Sequence, residues 1–245
     1  MLPAIIKEFL QQHSYPELSP KAVFFDMDGV LFDSMPGHAV AWVKAMNDVN
    51  LPFTEYEAYM NEGRTGASTI NNVFKKALGR DGTEEEIKNI YKLKSDYFDD
   101  YGKPKAMPYA LELLSKIKAE DMQILVVTGS GQSSLLNNLE SHFPGMFHPE
   151  KMITAFDVKH GKPDPEPFLM AVKKSGVRPW EAIAIDNAPL GVRSASSAGL
   201  FTIGLNTGPL KPEDLLENGA HIVINSMEEL NTRWEEIIRK MKEVS

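Results

Sequence analysis

The stretch Ala22-Val-Phe-Phe-Asp26-Met-Asp28-Gly29 places two carboxylates one residue apart at the end of an apolar run. Two such groups repel when both are ionised, so the pair persists most easily around a cation or with one member protonated. Asp-x-Asp-Gly also occurs in surface turns and calcium loops. An EF-hand loop needs further oxygen ligands at alternate positions, and Met27 and Val30 to Phe32 do not supply them. The residues before the pair point instead to a strand buried on both faces, with Gly29 turning the chain after it. The carboxyl edge of a parallel sheet is where open α/β folds bind ligands, and both carboxylates would project there.

Such a sheet is readable in the rest of the chain. From about residue 105 onward, apolar runs alternate with helical patterns, as βαβ units require. Strands are expected at 21–25, 123–127, 152–153, 182–185, 201–205 and 221–224. Helices are expected at 131–143, 165–175, 189–198 and 227–242. The fold class is therefore α/β, a doubly wound Rossmann-like parallel sheet. Residues 35–103 carry helix patterns at 38–47, 54–60, 69–78 and 84–98 and no buried strand, so they read as an inserted α-helical cap over the carboxyl edge. Thr83-Glu-Glu-Glu86 has capping-box spacing. The expected division is a core of 1–34 and 104–245, with 1–20 as a helical extension ended by Pro16 and Pro20, and a cap of 35–103.

Three more strand ends bring polar residues to the same edge. Thr128-Gly129-Ser130 offers hydroxyls and helix N-terminal amides that suit phosphate oxygens, although the same triplet serves as a plain helix cap. Lys162 sits in a loop stiffened by Pro163 and Pro165, which suits a lysine that neutralises an anion. Asp186 and Asn187 add oxygen ligands beside a helix start.

Composition narrows the partners. The 245 residues carry a formal charge of −8 with no basic stripe, which argues against nucleic acid. The absence of Cys excludes disulfides, thiolate metal sites and a thiol nucleophile, and fits a reducing compartment, here expected to be the cytoplasm. No run approaches the ~18 apolar residues of a membrane span. The strand-end hydroxyls, amides and lysine make a small phosphorylated substrate the expected partner, and a monomer is expected.

The four motifs Asp26-Met-Asp28-Gly29-Val, Thr128-Gly129-Ser130, Gly161-Lys162-Pro163-Asp164 and Asp186-Asn187-Ala-Pro-Leu-Gly191 occur in order. In this the chain resembles the haloacid dehalogenase superfamily, specifically its β-phosphoglucomutase-like phosphatase branch with a helical cap. The resemblance implies that Asp26 attacks phosphorus to form an aspartyl-phosphate and that Asp28 serves as acid and base. It further implies a Mg²⁺ cofactor held by Asp26, the backbone carbonyl of Asp28, and Asp186 and Asn187, with Thr128 and Lys162 stabilising phosphoryl oxygens.

One departure from that pattern bears on the substrate. The fourth motif commonly carries two carboxylates, and here its second position is Asn187. Glu62, in the loop Asn61-Glu62-Gly63-Arg64-Thr65-Gly66, resembles part of a substrate-specificity loop and can restore the missing charge at the metal. Arg64 and Thr65, with Gly129 and Ser130, are the expected substrate contacts; Glu62 and Arg64 as a surface ion pair is the competing reading. His38 and Lys94 align with residues used near the leaving group, against packing for His38 and solvation for Lys94. The leading function is a Mg²⁺-dependent phosphohydrolase acting on inorganic pyrophosphate or a sugar phosphate. The alternatives are a β-phosphoglucomutase interconverting β-glucose 1-phosphate and glucose 6-phosphate, and a catalytically silent binding or regulatory protein.

Overall fold

The computed structural model describes residues 2–129 and 135–244. Six parallel strands, β1 (Ala22–Phe25), β2 (Gln123–Val127), β3 (Met152–Ile153), β4 (Ala182–Asp186), β5 (Phe201–Leu205) and β6 (Ile222–Ile224), form one sheet. Their order is β3-β2-β1-β4-β5-β6. The chain winds outward from β1 to β3, then returns to β4 and winds the other way, so the topological switch point lies between β1 and β4. Ligand crevices form at that point, because the loops leaving the two strands diverge there.

Strand periodicity sorts the side chains into two layers. Val23, Phe25, Ile124, Val126, Ile183 and Ile185 face one cluster, and Ala22, Phe24, Leu125, Val127, Ala182 and Ala184 face the other. Helices α1 (Leu2–His13), α6 (Ala110–Ala119) and α11 (Met227–Val244) cover the first face, and α8 (Glu166–Ser175) and α9 (Pro189–Ser197) cover the second. α1 packs on α11 through buried Leu2, Ile6 and Phe9. α7 (Leu135–His142) follows β2, and short α10 (Pro212–Leu216) follows β5.

Between β1 and α6 lie α2 (Met35–Asp48), α3 (Glu55–Met60), α4 (Gly66–Leu78) and α5 (Glu84–Tyr101). The Thr83–Glu86 capping box forms, with Glu86 N–H donating to Thr83 Oγ1 at 3.2 Å and Thr83 N–H to Glu86 at 2.7 Å. Thr54 and Glu57 make a second box that starts α3. The four helices bury their own apolar cluster around Met46, Phe53, Tyr59, Ile70, Phe74 and Ile90.

α6 and α10 were not expected, and α2, α4 and α5 are longer than their apolar patterns suggested. No helix among the described residues is long and apolar enough to cross a membrane.

Candidate active site

β1 delivers Asp26 to the carboxyl edge and β4 delivers Asp186, one on each side of the switch point. After Asp26 the chain turns at once, and Gly29 takes φ +82°, a backbone conformation that costs glycine little. A Cβ there would lie 2.3 Å from Asn187 Nδ2, so the turn also needs glycine for space. Asp28 thereby faces the cap side of the site.

Lys162 lies between the two strand ends. Its ammonium bonds Asp26 Oδ1 and, at 2.7 Å, Asp186 Oδ2, and all three side chains are nearly inaccessible. Asp186 Oδ1 also accepts the Ala188 amide at 3.0 Å. Burial pushes Asp26 up to about 7, against the pull of Lys162 and with the charges of Asp186 and Asp28 adding to the rise. Burial also opposes the charge on Lys162, but Asp186 and Asp26 outweigh it and hold the ammonium above its ordinary range. The lysine is thus an immobile, permanently charged donor against the nucleophile.

Asp28 has a separate set of partners. Ser34 Oγ donates to its Oδ1 at 2.6 Å, and His38 Nε2 lies 3.6 Å from the same oxygen. His38 Nδ1 is 2.9 Å from Lys94 Nζ, and its ring stacks on Phe98 at 3.9 Å. The lysine can only donate, so Nδ1 accepts and the remaining imidazole proton sits on Nε2, toward Asp28. Burial pushes the Asp28 carboxyl upward, but the bonds from His38 and Ser34 and the charge of Lys94 overcome it and hold it below the usual range. Burial against Phe98 and Trp42 lowers Lys94 to about 8, with Asp28 and Asp99 pulling the other way.

Glu62 reaches down from the loop after α3. Asn187 Nδ2 donates to its Oε2 at 2.8 Å. Glu62 Oε1 and Asn187 Oδ1 are buried with no hydrogen-bond partner among the described residues. Burial, then the charges of Asp26, Asp28 and Asp186, hold the Glu62 carboxyl well above its usual range. Orphaned oxygens beside crowded carboxylates match what a hard divalent cation requires: oxygen donors only, with charge to be neutralised. The residues therefore fit Mg²⁺, with Asp26, Asn187 and Glu62 offering side-chain oxygens and Asp186 already engaged by Lys162 and Ala188.

A cavity of about 440 Å³ opens above these groups. Asp26, Asp28, His38, Glu62, Arg64, Lys94, Thr128 and Gly129 all line it. Arg64 Nη1 is 3.4 Å from Ser68 Oγ, while its buried Nε has no partner among the described residues and can take an anion. Thr65 does not line the cavity; it caps α4, accepting the Ser68 amide at 3.2 Å. Ser130 lies outside the described residues.

Some of the site was not anticipated. Ser34, the residue directly before α2, donates to Asp28. Trp42 and Phe98 form an aromatic wall beside Lys94, and Asn138 and His142 of α7 also line the cavity. No sequence signal separates these from ordinary surface or packing residues.

A doubly wound sheet with carboxylates at its switch point and an all-helical insert above them defines a class of α/β hydrolase. A sequence profile of haloacid dehalogenase-like hydrolases matches residues 20–199, and the chain belongs to that family. Within the family it falls in the β-phosphoglucomutase-like branch. A solved structure from Bacteroides vulgatus, provisionally assigned as a β-phosphoglucomutase, is 51% identical with a TM-score of 0.93 and 98% of each chain covered. The β-phosphoglucomutase of Bacillus subtilis is 27% identical over 88% of this chain and 96% of its own length. The phosphorylated carbohydrates phosphatase of Thermotoga maritima is 28% identical over 86% of this chain and 97% of its own.

Proposed function

We propose that this protein is a Mg²⁺-dependent phosphohydrolase that works through an aspartyl-phosphate on Asp26 and prefers a compact diphosphate, inorganic pyrophosphate, to a sugar phosphate. The observation that carries the preference is Glu62, whose carboxyl projects from the cap loop to within 2.8 Å of Asn187. A carboxylate there repels a bare second phosphate but supplements an all-oxygen cation site that lacks one acidic ligand. A small, doubly anionic substrate that arrives with its cation gains most from such an arrangement.

Asp26 Oδ attacks phosphorus and the bond to the leaving oxygen breaks, giving an acyl phosphate and a leaving phosphate. Water then attacks the same phosphorus, gives its proton to Asp28, and releases Asp26. Lys162 and Thr128 hold charge that builds on the phosphoryl oxygens. When bound, Mg²⁺ supplies charge neutralisation between Asp26 and the incoming phosphoryl group. Arg64 and Lys94 meet the leaving phosphate. Asp28, fixed by Ser34 and facing His38, is placed to take the proton of the attacking water, and a phosphate leaving group departs without the proton that a sugar alkoxide needs.

The second reading, a β-phosphoglucomutase, is favoured by the cavity volume of about 440 Å³ and by the apolar faces of Trp42 and Phe98 that could meet a sugar ring. The relatives from Bacillus subtilis and Thermotoga maritima act in sugar phosphate chemistry. Both readings are tested by phosphate release from pyrophosphate, hexose phosphates and nucleotides, run beside isomerisation of β-glucose 1-phosphate. Pyrophosphate is expected to have the highest kcat/KM by at least ~10-fold. A larger kcat/KM for isomerisation overturns the hydrolase assignment, and silence on every compound with Mg²⁺ present overturns both.

A further inference from the structure

The loop that carries Glu62 is held by the core through the helix before it. Helix α3 sits directly before this loop, and its last turn holds it: Glu62 N–H donates to the Tyr59 carbonyl at 3.3 Å, and Asn61 donates to the Glu57 carbonyl through both its amide and its side chain. α3 is in turn held by the loop after β5. The Tyr59 ring lies against Gly208 so closely that a Cβ on Gly208 would be 2.3 Å from Tyr59 Cε1. The Tyr56 hydroxyl donates to Asp214, which is itself fixed by accepting the Lys211 amide at 2.8 Å. Leu210 and Leu215 complete the contact, joining the apolar cluster of the cap helices without a break.

The gripping loop is itself tied down by hydrogen bonds. Asn206 N–H donates to the Ile224 carbonyl at 2.8 Å and its side chain to the Leu210 carbonyl at 2.7 Å. Thr207 Oγ1 donates to the Gly29 carbonyl at 2.6 Å, which ties the loop to the turn carrying Asp28. One short segment therefore touches both the catalytic turn and the helix that presents Glu62. A carboxylate that must meet a cation to within a few tenths of an ångström needs that kind of support.

We propose that residues 206–214 form a clasp on α3, through Gly208 against Tyr59 and Asp214 against Tyr56, and that this clasp positions Glu62 at the metal-binding edge of the site. Tyr56, Tyr59 and Gly208 are positioning residues; none lines the catalytic cavity. The inference rests on the reading of Glu62 as a cation ligand given above. Gly208 has no left-handed backbone requirement, so Gly208→Ala disturbs the contact with Tyr59 without straining the loop itself.

The test uses the full chain and two readouts that need no turnover. Hydrogen exchange of residues 55–66 is compared in the native protein, Gly208→Ala and the milder Tyr56→Phe. Mg²⁺ binding is measured by calorimetry in each, and again with Glu62→Gln added. Gly208→Ala is expected to speed exchange in 55–66 by ~10-fold and to weaken Mg²⁺ binding by ~10-fold, with Tyr56→Phe giving about threefold in each. In the Glu62→Gln background the clasp substitutions should shift Mg²⁺ binding by less than ~2-fold. Unchanged exchange in 55–66 with both substitutions overturns the clasp. Faster exchange with an equal loss of Mg²⁺ binding whether or not Glu62 is present overturns its action through Glu62. If Glu62→Gln alone leaves Mg²⁺ binding unchanged, the metal reading of Glu62 fails and the positioning role falls with it, while the exchange data still judge the clasp as a contact. Should Gly208→Ala not fold, Tyr56→Phe decides each comparison, because removing one hydroxyl leaves the packing intact.

Discussion

Replacing Lys162 by methionine is expected to destabilise the protein strongly and in a pH-dependent way. The ammonium bonds two carboxylates, Asp26 and, at 2.7 Å, Asp186, in a place water hardly reaches. At an effective dielectric of about 20, one such pair attracts by roughly 6 kcal/mol, and burial of the charges cancels much of that. Methionine keeps the packing but leaves two buried carboxylates facing each other, so the net loss should be about 3–5 kcal/mol at pH 8, or about 6–20 °C in Tm for a chain of this size. The sign with pH follows from Asp26. Its folded pKa, about 7, already lies above the unfolded value of 3.8, so the folded state binds more protons and apo stability falls as pH rises toward and through 7. Without the lysine Asp26 rises further, the fall steepens, and the deficit at pH 5.5 should shrink to roughly half, because one carboxyl is then neutral in both proteins. Urea unfolding of native and Lys162→Met protein in chelator, at pH 8 and 5.5, measures both quantities. A deficit below ~1 kcal/mol at pH 8, or one equal at the two pH values, would refute the picture of a lysine clamped between two carboxylates.

Ser34→Ala removes the 2.6 Å bond to Asp28 and should cut kcat by about 10-fold while moving the acid limb of the pH–rate profile upward; an unmoved limb argues against the contact. Chelating Mg²⁺ should abolish phosphate release while far-UV circular dichroism stays the same, since the Lys162 clamp holds the strand ends together without it. His221, stacked on Phe201 and accepting the Thr202 amide at 3.0 Å, is pushed down to about 4, mainly by burial and then by His13. Its neutral form is therefore required in the fold, so its contribution is present above pH 6.5 and is lost as pH falls toward 4, up to about 3 kcal/mol in all. His221→Gln should flatten stability over that range in urea titrations, and an unchanged pH slope counts against it.

The sheet was legible because its strands are buried on both faces and so read as unbroken apolar runs ended by polar motifs. The same rule marked Asp26, Thr128 and Asp186, each the first polar residue after such a run. α6 escaped although Ala110, Leu113, Leu114 and Ile117 have helical spacing, because it lacks a start signal: Tyr109 precedes it at φ +66° and makes no side-chain cap. α10, at five residues, is too short for periodicity to register. The Lys162 loop was recognisable as a place for a cation, but its clamp on Asp26 and Asp186 depends on residues 136 and 24 positions away. Distances of that kind are set by the topology of the sheet. The Tyr59–Gly208 contact illustrates the limit further, since neither residue type nor spacing marks it.

In the proposed mechanism Asp26 itself accepts the phosphoryl group. The direct test is rapid acid quenching of the protein during turnover of pyrophosphate with Mg²⁺, followed by peptide mass spectrometry. A phosphoryl group is expected on Asp26 in the native protein, more of it in Asp28→Asn, where water lacks its base, and none in Asp26→Asn. Turnover with no phosphoryl adduct on Asp26 in either the native protein or Asp28→Asn, or an adduct on another residue, would contradict it.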